Sequence, residues 1–128
     1  MMWTSMALNG RILVVDDAME NIQTLHAALQ DEHEVLFAMD GPRALELVRS
    51  QRPDLILLDA VMPGMDGYAL CKELQAAPET ADIPVIFVTA LSSPEDETRA
   101  LGAGAADFIS KPVNAAVVRA RVRTQLTV

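Results

Sequence analysis

Apolar residues in this chain gather into short runs, each followed by a polar residue, and the runs alternate with stretches at helical spacing. Ile12-Leu13-Val14-Val15 stops at Asp16-Asp17, and Leu55-Ile56-Leu57-Leu58 stops at Asp59. Val85-Ile86-Phe87-Val88 stops at Thr89, and Asp107-Phe108-Ile109-Ser110 stops at Lys111. β-Branched and leucine runs without polar alternation predict strands buried on both faces, as in a parallel sheet. A shorter strand is predicted at 34–38. Met19 to Asp31 carries Ile22, Leu25, Ala28 and Leu29 at helical spacing, so a helix follows the first strand. Asp40-Gly41-Pro42 opens a second, with proline in its first turn and Ala44, Leu45 and Val48 on its apolar side. Pro53 precedes the third strand. Met62-Pro63-Gly64-Met65-Asp66-Gly67 predicts a loop by its breakers, with Asp66 capping a helix to about Ala77. Pro84 introduces the fourth strand. Ser92-Ser93-Pro94-Glu95 then supplies a cap, an early proline and first-turn acid. Gly102 and Gly104 end that helix, and a last helix is predicted from Val113 to Leu126.

Five βα units without a repeat predict an α/β fold: a doubly wound five-stranded parallel sheet flanked by five helices. Right-handed crossovers leave few topologies. The flavodoxin-like order 2-1-3-4-5 makes the first and third strands neighbours at the switch point, where ligands bind outside the carboxyl ends. Asp16, Asp17, Asp59, Thr89 and Lys111 are therefore predicted to converge. Three clustered carboxylates raise one another's pKa unless a cation sits among them. Magnesium suits such an oxygen site, keeping several waters and taking few carboxylates, with manganese as a substitute. A carboxylate can also attack phosphorus to give an aspartyl phosphate. Phosphoryl transfer then needs little beyond positioning and charge stabilisation. Lys111 and Thr89 can each serve a phosphoryl oxygen. Taken singly, Asp16-Asp17 could be a helix cap and Asp59 a turn residue; four placements at the same end of four strands argue for a site.

The bulk numbers narrow the field. A chain of 128 residues, 51% hydrophobic and 22% charged, is one domain with a real core. No apolar stretch approaches the roughly 20 residues that span a bilayer. Residues 1–9 lack a charged n-region and apolar core, so they read as a short leader to a domain at 10–128. The single cysteine, Cys71, is expected on a helix without chemistry and suits a reducing cytoplasm. A net charge of −8 argues against direct nucleic-acid binding. The charge is uneven: Lys111, Arg119, Arg121 and Arg123 follow residue 110 with no acid among them. That helix reads as a solvated face or as a partner and linker surface.

The motifs Val14-Val15-Asp16-Asp17, Leu57-Leu58-Asp59 with Met62-Pro63-Gly64-Met65-Asp66-Gly67, Val88-Thr89-Ala90 and Phe108-Ile109-Ser110-Lys111-Pro112 resemble the receiver domains of two-component response regulators, the CheY-like superfamily of bacterial signalling. The resemblance runs from about Arg11 to Leu126. It implies that Asp59 is the phosphoacceptor and that Asp17 and Asp59 ligate magnesium directly. Asp16 would act through metal-bound water, and the Val61 carbonyl would add a ligand. Thr89 and Lys111 would contact the phosphoryl group, and Phe108 would match the switch aromatic, here without the hydroxyl of the frequent Tyr. Members usually carry a cis bond at the position of Lys111–Pro112. The apolar Val61 and Leu91, two residues after Asp59 and Thr89, would flank the phosphoryl group. The domain would be no enzyme beyond its own phosphorylation and dephosphorylation. Its phosphodonor would be a sensor histidine kinase or phosphotransfer protein, without membrane or direct nucleic-acid contact. The 95–99 and 119–126 segments look like receivers coupled to cyclic-di-GMP enzymes or sensor kinases. The apolar Val113, Val117, Val118, Val122 and Leu126 suggest a linker to an output domain or a homodimer contact.

Two rival chemistries fit less well. A haloacid-dehalogenase-type phosphatase needs a D-x-D pair after the first strand, where this chain has adjacent aspartates. Gly102-Ala103-Gly104-Ala105-Ala106 resembles a nucleotide phosphate loop but precedes a strand. His26 and His33 are expected at the surface.

Overall fold

The computed structural model describes residues 10–127, so the proposed leader lies outside the described residues. The elements are β1 (Arg11–Val15), α1 (Met19–Leu29), β2 (Glu34–Ala38), α2 (Gly41–Gln51), β3 (Leu55–Leu58), β4 (Val61–Met62), β5 (Met65–Asp66), α3 (Gly67–Ala76), β6 (Val85–Thr89), α4 (Pro94–Gly102), β7 (Asp107–Ser110) and α5 (Ala115–Leu126). One parallel sheet runs β2-β1-β3-β6-β7. This is the predicted order. The two additional short strands, β4 and β5, pair with each other as an antiparallel hairpin that starts at Val61 and overlaps the loop expected at 62–67.

The uninterrupted apolar runs follow from two cores. Leu13, Val15, Ile56, Leu58, Val85 and Phe87 face one side with Val48, Tyr68, Leu74 and Ala100 of the helices. Ile12, Val14, Leu55, Leu57, Ile86 and Val88 face the other, against Ile22, Leu25, Leu29, Val118 and Val122. A strand covered on both faces has no solvent side to mark with polar residues.

Caps set the helix boundaries. Asp40 accepts from Arg43 N at 2.7 Å, and Asp66 accepts from Tyr68 N at 2.9 Å. The last helix starts two residues later than predicted, because Asn114 caps it by accepting from Ala116 N and Val117 N. Val113 instead packs against the core. The first helix ends at Leu29 rather than Asp31. Glu32 N and His33 N both turn back to Leu29 O, which reverses the chain into β2.

Three expectations about single residues meet the structure differently. Cys71 lies on α3 as expected, fully buried, with its thiol pushed up to about 11 by burial. His26 is exposed, but His33 is buried, which corrects the surface expectation. It stands at the turn that feeds an edge strand, and α5 closes over that end of the sheet through Arg123 on Glu32. The apolar face of α5 is mostly consumed by the domain itself: Val118 and Val122 are in the core, Val113 and Leu126 pack on it, and Val117 stays exposed. The arginines of α5 also turn inward to their own domain. Arg121 lies 3.5 Å from Asp107, and Arg123 binds Glu32 and lowers its pKa chiefly through that hydrogen bond.

Candidate functional site

The carboxyl ends of β1 and β3 lie side by side, since Asp59 N donates to Val15 O at 3.0 Å. Asp16 and Asp59 therefore leave neighbouring strands at the same level. Asp16 is held by Ala18 N at 2.9 Å and by Asn21 Nδ2 at 3.4 Å, both donating to Oδ1. Asp59 Oδ1 accepts from Val61 N at 3.1 Å. Their other oxygens share one cation: Lys111 Nζ donates to Asp16 Oδ2 at 2.7 Å and Asp59 Oδ2 at 3.0 Å. The Asp16 side chain is only 3% exposed and that of Asp59 10%. Asp17 is exposed, yet it offers a carboxylate oxygen to the same cluster, in which all three ligand atoms lie within 4.8 Å of one another.

Charge explains the geometry. Burial works against the Lys111 ammonium, but hydrogen bonds to Asp16 and Asp59, and their charges, outweigh it and raise its pKa. One ammonium among three carboxylates leaves the pocket negative, and its donors are all oxygen. That set fits a hard divalent cation that keeps much of its water.

The remaining predicted residues sit around this floor. Thr89 closes β6, the strand beside β3, and is buried. Its hydroxyl accepts from Leu91 N at 3.2 Å, and its carbonyl accepts from Lys111 N at 2.9 Å. The Lys111–Pro112 peptide is cis. Phe108 is half-buried, pairs with Phe87 across β6 and β7, and packs on the core. Val61 and Leu91 are both exposed.

Several contributors escaped the sequence reading. Asn21 stands one turn into α1, where only the fold turns it toward Asp16. Gly67 opens α3 directly against the Asp59 strand: a Cβ there would meet Asp59 O at 2.5 Å, so no side chain fits. The Asp66-Gly67 pair, a cap before a breaker, was its signal. A cleft of about 410 Å³ borders Lys111, lined by Asn21, Thr24, Leu25 and Val113 among others. The larger cleft, about 620 Å³, lies at the opposite end near Gly10 and Thr127, away from the carboxylates.

Comparison with known proteins identifies the family. The family model described as response regulator receiver domain matches residues 12–123. Over 118 residues the chain is 47% identical to response regulator PleD of Caulobacter vibrioides, covering 91% of this chain and 26% of that protein. It is 41% identical over 115 residues to a probable cyclic di-GMP phosphodiesterase of Vibrio cholerae, covering 90% and 26%. The chain thus spans about a quarter of the length of these relatives. The signal receiver domain of a histidine kinase from Syntrophus aciditrophicus superposes with a TM-score of 0.84 at 39% identity, covering 92% of this chain and 90% of that one. The beryllofluoride-activated receiver domain of Klebsiella pneumoniae RstA does so at 0.84 and 34%, covering 92% and 99%. With its fold, its converging acids and the match over residues 12–123, the chain belongs to the response regulator receiver domains of two-component signalling.

Proposed function

We propose that this domain takes a phosphoryl group onto Asp59 from a sensor histidine kinase or phosphotransfer protein, and signals by changing shape. The observation that carries the reading is the single Lys111 ammonium shared by Asp16 and Asp59, beside Asp17, at the carboxyl edge of the sheet. An oxygen of the Asp59 carboxylate attacks phosphorus. The bond from phosphorus to the donor's imidazole nitrogen breaks, and the nitrogen leaves with its electron pair. Asp17 and Asp59, with Asp16 through water and the Val61 carbonyl, would hold magnesium, or manganese in its place. That ion supplies positive charge to the phosphoryl oxygens. Lys111 is placed to exchange its carboxylate partners for a phosphoryl oxygen, and the Thr89 hydroxyl can donate to another. In turning, Thr89 releases Leu91 N and vacates space toward which Phe108 can move. Phe108 has no hydroxyl, so its inward move is a burial step with no hydrogen bond to lose.

The test is to incubate the chain with acetyl phosphate and magnesium and to trap the acyl phosphate with borohydride. Modification mapped to Asp59 is expected. Incorporation elsewhere, or none, would overturn the reading. Hydrolysis of the acyl phosphate requires an oriented water, and neither Val61 nor Leu91 can hydrogen-bond one through its side chain. Val61→Asn combined with Leu91→Gln should therefore speed dephosphorylation by roughly tenfold, less than the roughly 10²-fold or more of a true general base, because an amide orients the water without taking its proton. An unchanged rate would count against the shielding role.

The downstream target is proposed from the relatives. They are about three and a half times as long, and one is named a probable cyclic di-GMP phosphodiesterase. We read this receiver as the cytoplasmic control module of a similar longer protein, acting on cyclic-di-GMP turnover or on a kinase, with α5 and its neighbours as the contact to the output domain or a second copy. Among the described residues no helix is long and apolar enough to cross a membrane.

A further inference from the structure

Arg99, on α4, reaches over to the start of α3, the neighbouring helix on the same face of the sheet. Its Nη2 donates to Asp66 Oδ2 at 3.3 Å, and its guanidinium carbon stands 4.2 Å from the centroid of the Tyr68 ring. Asp66 uses its other oxygen to cap α3 at Tyr68 N and Ala69 N. Tyr68 in turn packs on Phe87, with ring centroids 5.1 Å apart. The start of α3 cannot drift, because Gly67 N donates to Ala60 O at 3.0 Å and Gly67 abuts the Asp59 backbone. Arg99 thus ties α4, through the start of α3, to the strand that leads into Asp59.

A second tie holds the other end of the same helix. The Thr89 hydroxyl accepts from Leu91 N, two residues before Ser93, which caps α4 in a reciprocal box with Asp96. The box makes the first turn of α4 rigid, so a displacement at Leu91 moves the helix as a unit. If Thr89 turns to a phosphoryl group, Leu91 N loses its acceptor and α4 is free at that end. It can follow only by letting go of Tyr68 and Asp66.

One contact in this arrangement is unfavourable. The Tyr68 hydroxyl is buried, with no hydrogen-bond partner among the described residues, and leaving such a group unpaired costs free energy. Burial, reinforced by the nearby Asp96 charge, also pushes its pKa up. Any shift of α4 that lets water or Asp96 reach this hydroxyl relieves the cost.

We infer that Arg99 is a latch holding α4 in the unphosphorylated arrangement, and that the unpaired Tyr68 hydroxyl beneath it is the counterweight that biases the helix toward release. Arg99 and Tyr68 are then positioning residues that set how easily the switch moves. The inference rests on the phosphoacceptor reading of Asp59, since the probe must enter that pocket.

The two elements make opposite demands. Arg99→Gln removes a contact present only in the latched state, so it should lower thermal stability while tightening the binding of beryllofluoride with magnesium by about three- to tenfold. Tyr68→Phe keeps the ring under Arg99 but removes the buried hydroxyl. It should raise thermal stability while weakening beryllofluoride binding by about three- to tenfold. Binding is followed by amide resonances of α4 in the whole chain. A merely structural role would move stability and affinity together; the latch moves them apart, with opposite signs in the two variants. Any other pattern, including a shift in one variant alone, overturns the inference. No response of the unsubstituted chain to beryllofluoride with magnesium would overturn the phosphoacceptor reading itself, and the latch with it.

Discussion

Asp59→Asn should abolish phosphoryl uptake from acetyl phosphate and, in metal-free buffer, make the domain more stable by on the order of 1 kcal/mol, whereas Lys111→Met should destabilise it by about 3 kcal/mol. The signs follow from the charges in the pocket. Three carboxylates lie with ligand atoms within 4.8 Å of one another and share one ammonium. Neutralising Asp59 removes like-charge repulsion in the pocket, and an asparagine oxygen can still accept from Lys111 Nζ, at the cost of the separate bond that Val61 N makes to the other carboxylate oxygen. It cannot, however, serve as the anionic nucleophile. Neutralising Lys111 does the reverse. It leaves Asp16, 3% exposed at its side chain, and Asp59, at 10%, facing each other without their cation. Breaking a buried pair from one side costs more than the pair is worth, because the orphaned charge stays buried.

Magnesium should restore part of what Lys111→Met loses, since an ion that binds only the folded state stabilises it by mass action. Urea unfolding of both variants, with and without millimolar magnesium, reads every arm of this expectation. A Lys111→Met domain as stable as the parent, or indifferent to magnesium, would show that the pocket tolerates its bare negative charge.

Phe87→Ala should cost about 3–5 kcal/mol, a large share of a typical domain stability of about 5–15 kcal/mol. Phe87 is fully buried in the middle of β6, stacks on Tyr68 and stands beside Phe108 in the sheet. Both faces of β6 are covered, so backbone collapse cannot refill the space. Phe87→Leu keeps most of the volume and should cost less than about 1.5 kcal/mol. Denaturant midpoints at unchanged slope test the pair. Equal losses for Ala and Leu would mean that the ring packs less closely than its burial implies.

Much of the site is legible in the sequence because strand ends are marked in the chain. A parallel sheet puts every strand's carboxyl end on one edge, so Asp16, Asp59, Thr89 and Lys111 could be gathered from the positions where four apolar runs stop. The caps at Asp40, Asp66 and Ser93 were readable for a similar reason, since a cap satisfies amides within three residues of itself. Boundaries proved less legible. α5 begins at Ala115 because Asn114 outcompeted the apolar Val113 for the cap, and Val113 joined the core instead. The β4–β5 hairpin also passed unnoticed, since two-residue strands carry no periodicity.

His33 and Arg99 mark the limit of local reading. Neither has a neighbour in sequence that announces its role. His33 is buried beside Glu32, which pairs with Arg123 of α5 across some ninety residues. Arg99 reads as one more charge on an exposed helix until α3 is laid beside it. The amino-acid sequence alone determined the element order, the two-faced core and the inventory of the acidic pocket, because those depend on local periodicity and on the common polarity of parallel strands. Tertiary structure decided which oxygen Lys111 holds, which side of α5 remains for partners and what ties α4 to the Asp59 strand. These depend on distances between residues far apart in the chain, and only packing sets those distances.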